Sequence, residues 1–152
     1  MIQAIWESRM EPFRILGNLY FVGTKLASSH LIDTGCGLIL LDTGYPETLY
    51  LLLDGIYRLG FSPREIKYIL HSHGHIDHVG GTRYLLELTG AKSFIARQDA
   101  DAVTGKRDLT FAGELGMPFR EPFQPDFLLD DGAAVSLGNT TIRCVHTPGH
   151  TQ

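Results

Sequence analysis

The chain carries at residues 71–78 the sequence His71-Ser72-His73-Gly74-His75-Ile76-Asp77-His78, directly after the apolar run Tyr68-Ile69-Leu70. Imidazole binds zinc, iron, copper and nickel, and carboxylate oxygen completes the coordination of a hard or borderline cation. Without a ligand such a cluster costs free energy, because protonated imidazoles repel one another and buried neutral ones need partners. The stretch therefore predicts a metal site in preference to a surface cluster of histidines.

The spacing within this stretch divides the donors into two groups. His73 and His75 alternate as residues at a strand end do, so both rings can face one side of an extended segment. Asp77 and His78 are predicted to lie on a turn, where Gly80-Gly81 releases the backbone before a helix begins. Two groups of donors from one short loop suit two neighbouring metal ions.

Length and composition favour a single globular domain over residues 1–152, long enough to bury a core. Hydrophobic residues make up 43% of the chain and charged residues 20%, which is typical of soluble folded proteins. The net charge of −4, without a basic run, argues against nucleic acid as a partner. No apolar run reaches membrane-spanning length, so no membrane association is expected.

The cysteines and the N-terminus favour a cytoplasmic protein. Cys36 and Cys144 lie far apart and outside any Cys-x-x-Cys motif, which predicts free buried thiols in a reducing compartment. Residues 1–9 lack the basic start, apolar core and small-residue cleavage site of a signal peptide.

Alternating strands and helices predict an α/β layered domain whose site lies at the carboxyl ends of the strands. The apolar run 38–41 predicts a strand buried on both faces, and it ends in Asp42-Thr43-Gly44. A helix is predicted from Pro46 to Leu59, and a capping box at Ser62-Pro63-Arg64-Glu65. The other predicted elements are strands at 13–16, 19–22, 30–32, 66–71, 92–96, 127–129, 134–137 and 140–145 and helices at 81–88 and 98–103.

Residues 105–126 form a long stretch rich in glycine, proline and aromatic residues. Such a loop in a compact domain is often a lid or a pocket wall. The alternative is a connector whose aromatic rings cover the core. Both interpretations stay open from the sequence.

The last predicted strand runs into His146-Thr147-Pro148-Gly149-His150-Thr151-Gln152. Pro-Gly forms a tight turn that fixes the residues after it. His150 is therefore well placed to complete a metal site begun far away in the sequence, and His146 is the alternative third ligand.

Three motifs together resemble the metallo-β-lactamase superfamily. His73-x-His75-x-Asp77-His78 is similar to its signature loop, Leu41-Asp42-Thr43-Gly44 to its earlier motif, and Thr147-Pro148-Gly149-His150-Thr151 to its third. The resemblance runs from about Phe13 to the end of the chain. The stretch 12–23 looks most like the β-lactamase subclass that binds its first zinc through three histidines.

The resemblance implies the ligand sets and a four-layer αβ/βα sandwich. His73, His75 and His150 would bind the first metal, and Asp77 and His78 would contribute to the second. The cofactor implied is Zn²⁺, as one or two ions, with iron or manganese as alternatives. The chain would hold the first of the two similar halves of the sandwich. Either it is a truncated or cleaved piece, or a homo-oligomer or a second chain would supply the rest.

The resemblance also implies a role for Asp42, whereas His71 and His30 are interpreted separately from it. Asp42 would hold the histidine loop by hydrogen bonds, a role that metal ligands need. His71 falls outside the motif and is interpreted as a strand residue near the site. His30 is interpreted as structural.

The predicted function is metal-dependent hydrolysis of a small-molecule substrate. Three neutral imidazoles leave zinc one open position for water, whose pKa falls to about 7. Asp77 is the predicted catalytic residue, which orients that water. The bond cleaved would be ester-like, thioester, lactone or β-lactam. The alternatives are an iron-dependent oxidoreductase similar to persulfide dioxygenases and a non-catalytic metal-binding half-domain.

Overall fold

The computed structural model describes residues 9–151, and its main feature is a seven-stranded sheet. The strands lie in the sheet in the order in which they occur in the chain. They are β1 (Phe13–Leu16), β2 (Leu19–Phe21), β3 (His30–Asp33), β4 (Leu38–Leu41), β5 (Ile66–Leu70), β6 (Lys92–Ala96) and β7 (Phe127–Leu129). A second, two-stranded sheet consists of β8 (Ala134–Leu137) and β9 (Thr140–Arg143).

The direction of the strands changes at β4. Strands β1 to β4 pair antiparallel, as consecutive hairpins do, whereas β4, β5, β6 and β7 pair parallel. Parallel neighbours need crossover connections, which helices supply here. Since the carboxyl ends of parallel strands meet at one edge of a sheet, the loops after β4, β5 and β6 lie side by side.

Four α-helices occur in the described part of the chain: α1 (Leu49–Arg58), α2 (Ile76–Val79), α3 (Thr82–Thr89) and α4 (Ala100–Val103). The helix predicted from Pro46 to Leu59 is a 3₁₀ turn at Pro46–Thr48 that continues into α1. The capping box is confirmed, because the Ser62 side chain accepts a hydrogen bond from the Arg64 amide and Glu65 accepts one from the Ser62 amide.

The core has one layer on each face of the large sheet. Leu52 and Ile56 of α1 pack with Leu38 and Leu40 of β4 on one face. On the other face, Ile39 of β4 packs in a cluster with Val135 of β8, so the small sheet covers this side. The prediction that the run 38–41 is buried on both faces is confirmed, and so is the α/β layered class.

Different parts of the loop over residues 105–126 fit the two interpretations, a lid or pocket wall and a connector that covers the core. Phe123 is buried and packs with Ile95 and Val103, and Phe119 covers the same cluster. Phe111 is exposed and lies against the ring of His75, with ring centroids 5.0 Å apart. The second half of the loop therefore closes the core, and Phe111 borders the histidine cluster.

The turn predicted at Asp77 and His78 is wrong, because both residues lie in the short helix α2. The prediction that Gly80-Gly81 provides conformational freedom to the backbone is also wrong. Gly80 has helical dihedral angles, and a Cβ there would overlap Pro46 and lie 2.6 Å from the Ile76 carbonyl oxygen. Close packing, and not backbone freedom, requires glycine at this position.

Both cysteines are free, but the prediction that they are buried is wrong, since Cys36 is exposed and Cys144 half-buried. Within residues 9–151, none of the helices has the length and apolar character needed to cross a membrane. The prediction that the N-terminus lacks the features of a signal peptide rests almost entirely on residues 1–8, which lie outside the described residues.

Candidate metal centre

The site lies where β4 and β5 end beside each other. Leu41 pairs with Leu70 at the end of the parallel ladder, and the Asp42 amide still donates to the Leu70 carbonyl oxygen at 2.9 Å. Asp42 then adopts a left-handed backbone with φ 59°, a conformation that aspartate tolerates better than most residues. This turn directs the Asp42 side chain toward the histidine loop.

Three histidines from two distant segments meet at the first group of donors. One ring nitrogen from each of His73, His75 and His150 lies within 4.8 Å of the other two. His75 Nδ1 and His150 Nε2 are 3.1 Å apart, although the two residues are 75 positions apart in the chain. The structure thus brings together the three residues predicted for the first metal.

A second group of donors lies next to the first and shares His73 with it. Ligand atoms of His73, Asp77 and His78 lie within 4.8 Å of one another. His78 Nε2 is 3.2 Å from Asp77 Oδ2. All five residues predicted as ligands therefore belong to one of two adjoining groups.

The donor chemistry of these groups fits a metal ion. His73 Nε2 is buried and has no hydrogen-bond partner among the described residues. A buried polar atom without a partner costs free energy, which a coordinate bond to a cation would remove. Imidazole with carboxylate is also the donor set that zinc takes in catalytic sites.

Asp42 holds the histidine loop from below. Its Oδ1 accepts the Ser72 amide at 2.8 Å, and its Oδ2 accepts the Ser72 hydroxyl at 2.7 Å. Oδ2 also lies 2.9 Å from His78 Nδ1. With Nδ1 directed to Asp42, His78 presents Nε2 to the second group, as a ligand fixed by a carboxylate does.

The pKa values of the histidines diverge because their surroundings differ. Burial, followed by the neighbouring imidazoles of His78 and His75, lowers the pKa of His73 to about 4. Burial alone would lower the pKa of His78 as well, but hydrogen bonds to Asp42 and Asp77 raise it to about 9. His73 is therefore neutral at pH 7, which is the state that binds a metal, whereas His78 would release its proton on binding one.

The remaining histidines lie outside both groups. His71 is fully buried, its Nε2 lies 3.2 Å from the Thr82 hydroxyl, and its Nδ1 lies 3.9 Å from Asp42. His30 lies half-buried in β3 and packs edge-on against Phe21. His146 lines the cavity beside the site, but the groups of donors contain His150 in its place.

Sequence reasoning missed two residues around the site, Ser72 and Asp99. Ser72 lies between two of the histidines and donates twice to Asp42, so its place inside the motif was an available signal. Asp99 is buried and accepts a hydrogen bond from Thr151, which follows His150. No sequence spacing relates Asp99 to the motifs.

Comparison with known proteins gives a consistent family. GOB-18 from Elizabethkingia meningoseptica, a metallo-beta-lactamase, superposes with a TM-score of 0.88 at 37% identity over 99% of this chain and 56% of that chain. BJP-1 of Bradyrhizobium japonicum, a subclass B3 metallo-beta-lactamase, has a TM-score of 0.85 at 34% identity over 96% of this chain and 55% of that chain. These matches confirm the predicted fold.

A curated relative carries a different enzyme name. The hydroxyacylglutathione hydrolase of Anaeromyxobacter dehalogenans is 30% identical over 123 residues, which cover 81% of this chain and 38% of that protein. The chain thus spans little more than half of the similar structures, and a smaller share of this relative. The family model described as the metallo-beta-lactamase superfamily matches residues 22–152. Because this match and the structural matches cover most of the chain, the chain belongs to the metallo-beta-lactamase superfamily.

Proposed function

We propose that the protein is a metal-dependent hydrolase that uses zinc-activated water to cleave an ester-like, thioester, lactone or β-lactam bond. The observation that carries this proposal is the meeting of one ring nitrogen each from His73, His75 and His150, together with a buried His73 Nε2 that has no hydrogen-bond partner among the described residues. Three imidazoles with an open fourth position are the ligand set of a catalytic zinc.

The two groups of donors have separate tasks in this proposal. His73, His75 and His150 would hold the first ion, and Asp77 and His78 would contribute to a second. A bound zinc supplies a water of pKa about 7 and a Lewis acid for the substrate carbonyl. The chain itself supplies the orientation of these groups.

Asp77 is the proposed catalytic residue. Burial alone would raise the pKa of Asp77, but the hydrogen bond and positive charge of His78 lower it below its ordinary value of 3.8. Asp77 is then a carboxylate at neutral pH and accepts a hydrogen bond at Oδ1 or Oδ2 from the attacking water. This contact fixes the direction of the water's lone pair toward the substrate.

The surroundings of the site support a small-molecule substrate. A cavity of about 480 Å³ lies beside the site: Asp42 and His78 line it, whereas His73, His75, Asp77 and His150 do not. Its volume falls within the range of small-molecule sites. The exposed ring of Phe111 beside His75 offers an apolar contact at the rim.

The relatives support hydrolysis as the reaction class, but they do not single out the bond that is cleaved. Two of them are named as metallo-beta-lactamases and one as hydroxyacylglutathione hydrolase, and these are hydrolases. A panel with one chromogenic β-lactam, one glutathione thioester and one lactone, assayed with the zinc-loaded full-length protein, separates the candidate bonds. Iron in the purified protein together with oxygen uptake on a persulfide would refute the hydrolase proposal.

The ligand assignment is tested by His73→Ala and His150→Ala in the full-length protein. Each substitution removes one of three imidazoles, so we expect lower zinc content by metal analysis and loss of hydrolysis of the preferred substrate. His146→Ala is the matched control, since it removes the neighbouring imidazole on the same segment and should leave the zinc content unchanged. Unchanged zinc in both test variants would contradict the assignment.

A further inference from the structure

Asp99 is a buried carboxylate that the mechanism above does not use. It ends the 3₁₀ turn Arg97–Asp99, which follows β6 at the same sheet edge as the histidine loop. Its exposed fraction is 7%. Since aspartate is rarely this buried without a specific partner, its contacts indicate what holds it there.

One contact is with the segment that carries His73 and His75. A Cβ placed on Gly74, between these two histidines, would lie 3.4 Å from Asp99 Cβ and 3.5 Å from the Asp99 carbonyl oxygen. The same Cβ would lie 3.0 Å from Ala102 of α4. Asp99 and α4 therefore form the surface against which this part of the histidine loop rests.

The other contact is with the segment that carries His150. The hydroxyl of Thr151 donates a hydrogen bond to Asp99 Oδ2 at 3.3 Å. The Gly149 amide donates to the Thr151 carbonyl oxygen at 3.0 Å, so Thr151 also closes the turn around His150. One residue thus lies against both segments that supply the first group of donors, with its carboxylate at Thr151 and its Cβ and carbonyl oxygen beside Gly74.

We infer that Asp99 is a positioning residue for the first metal site, which it serves by anchoring Thr151 and with it His150 against the His73–His75 segment. This inference rests on the proposed ligand set. Side chains that orient a metal ligand from outside the coordination sphere commonly change metal affinity by about 10–100-fold when removed. Asp99 also carries negative charge close to His75, which favours a cation bound there.

The test measures zinc affinity and not turnover. In the full-length protein, the zinc dissociation constant of the first site is measured by competition with a chromophoric chelator, and the cobalt-substituted protein is followed by its absorption spectrum. We expect Thr151→Val and Asp99→Ala each to weaken zinc binding by about tenfold and to change the cobalt spectrum. The double variant should bind no more weakly than either single variant, since both remove one contact.

Two controls separate positioning from general stability. Thr151→Ser keeps the hydroxyl and should retain the parent affinity, whereas Asp101→Ala removes an exposed carboxylate on α4 and should have no effect. Parent affinity in Thr151→Val, or effects that multiply in the double variant, would overturn the inference. If Asp99→Ala does not fold, the comparison of Thr151→Val with Thr151→Ser decides. A parent protein that binds no zinc would instead overturn the proposed function.

Discussion

At the residue scale, Asp42 shows how one side chain can organise a site without binding the metal. Its left-handed backbone ends β4, and its two oxygens receive the Ser72 amide, the Ser72 hydroxyl and His78 Nδ1. Burial alone would raise the pKa of Asp42, but the hydrogen bond from His78 and the nearby charges lower it below 3.8. The Asp42 side chain is therefore a carboxylate at neutral pH.

Substitution of Asp42 tests this role. Asp42→Asn keeps the shape but replaces one acceptor oxygen with an NH₂ group that faces a donor, so we expect a loss of about 1–3 kcal/mol in the free energy of unfolding. Urea denaturation of the metal-free protein measures the change. The control is Glu87→Gln, which removes the charge of an exposed pair with Arg83 and should cost less than about 0.5 kcal/mol. Equal losses in the two variants would contradict the role of Asp42.

His71 gives a prediction about pH, because burial lowers its pKa to about 4 from an ordinary value of 6.5. The unfolded chain binds the proton more readily, so the stabilisation present above pH 6.5 is lost as the pH falls toward 4. In the metal-free protein, His71→Asn should flatten the decline of the free energy of unfolding over this interval. A decline of the same slope in parent and variant would show that His71 does not cause it.

His78 should act in the opposite direction, since its pKa is raised to about 9. The folded state binds this proton more tightly, so its contribution is complete below pH 6.5 and is lost as the pH rises through 9. His78→Gln should therefore remove the alkaline decline of the metal-free protein and leave the acid decline in place. Denaturation curves between pH 7 and pH 10 measure the effect.

At this scale, the sequence predicted the metal-binding side chains but not all of the residues that hold them in place. His73, His75 and His150 share a motif resemblance and a chemistry that can be recognised without coordinates. Asp99 belongs to no motif of this kind. Its contact with the site depends on the parallel pairing of β5 with β6, and on Thr151, which follows the second sheet in the chain and returns to Asp99. Contacts between segments that share no sequence pattern can be identified only from the folded structure.

At the element scale, the junction between α2 and α3 shows why two adjacent glycines are needed. Gly80 faces Pro46, which begins the 3₁₀ turn before α1, and a Cβ on Gly81 would lie 2.8 Å from the Thr43 carbonyl oxygen. The two helices thus press against the strand end that presents Asp42.

Substitution at this junction should be costly. Gly80→Ala would force the new methyl group into Pro46, so we expect a loss of about 1–3 kcal/mol in the free energy of unfolding. Gly113→Ala is the control, since its new methyl group would meet only the end of the Asp108 side chain, at 3.3 Å. The control should change stability by less than about 0.5 kcal/mol. Chemical denaturation measures both, and a neutral Gly80→Ala would refute the packing argument.

The elements themselves were largely predictable, because local periodicity and turn residues decide them. The apolar run of β4 required two covered faces, and the structure supplies α1 on one and β8 on the other. The short helix α2 was not predictable in this way. A stretch of four residues is too short to show helical periodicity. It is fixed instead by hydrogen bonds from its surroundings, such as the one from the Ile76 amide to the Thr110 carbonyl oxygen at 2.8 Å.

At the scale of the whole molecule, the proposed ion would connect the two sheets. His73 and His75 follow β5 of the large sheet, whereas His150 follows β9 of the small one. A ligand that binds only the folded state stabilises it by mass action. Zinc should therefore act on the stability of the entire domain and not only on the loop.

Zinc titration tests this connection. At a free zinc concentration one hundred times the dissociation constant, we expect a gain of about 2.7 kcal/mol in the free energy of unfolding. Thermal unfolding with zinc and after chelation by EDTA measures it, and His150→Ala should lose most of the gain. An equal gain in His150→Ala would show that zinc does not join the two sheets through this residue.

The separation of 75 residues between His75 and His150 has a consequence for folding kinetics. Contacts between distant parts of a chain form late, because the entropy of closing the intervening loop must be overcome first. During synthesis from the amino terminus, the large sheet can assemble before the third imidazole has left the ribosome. Metal binding by the first group of donors would then follow the assembly of the large sheet, so a metal-free state with this sheet already in place would precede it.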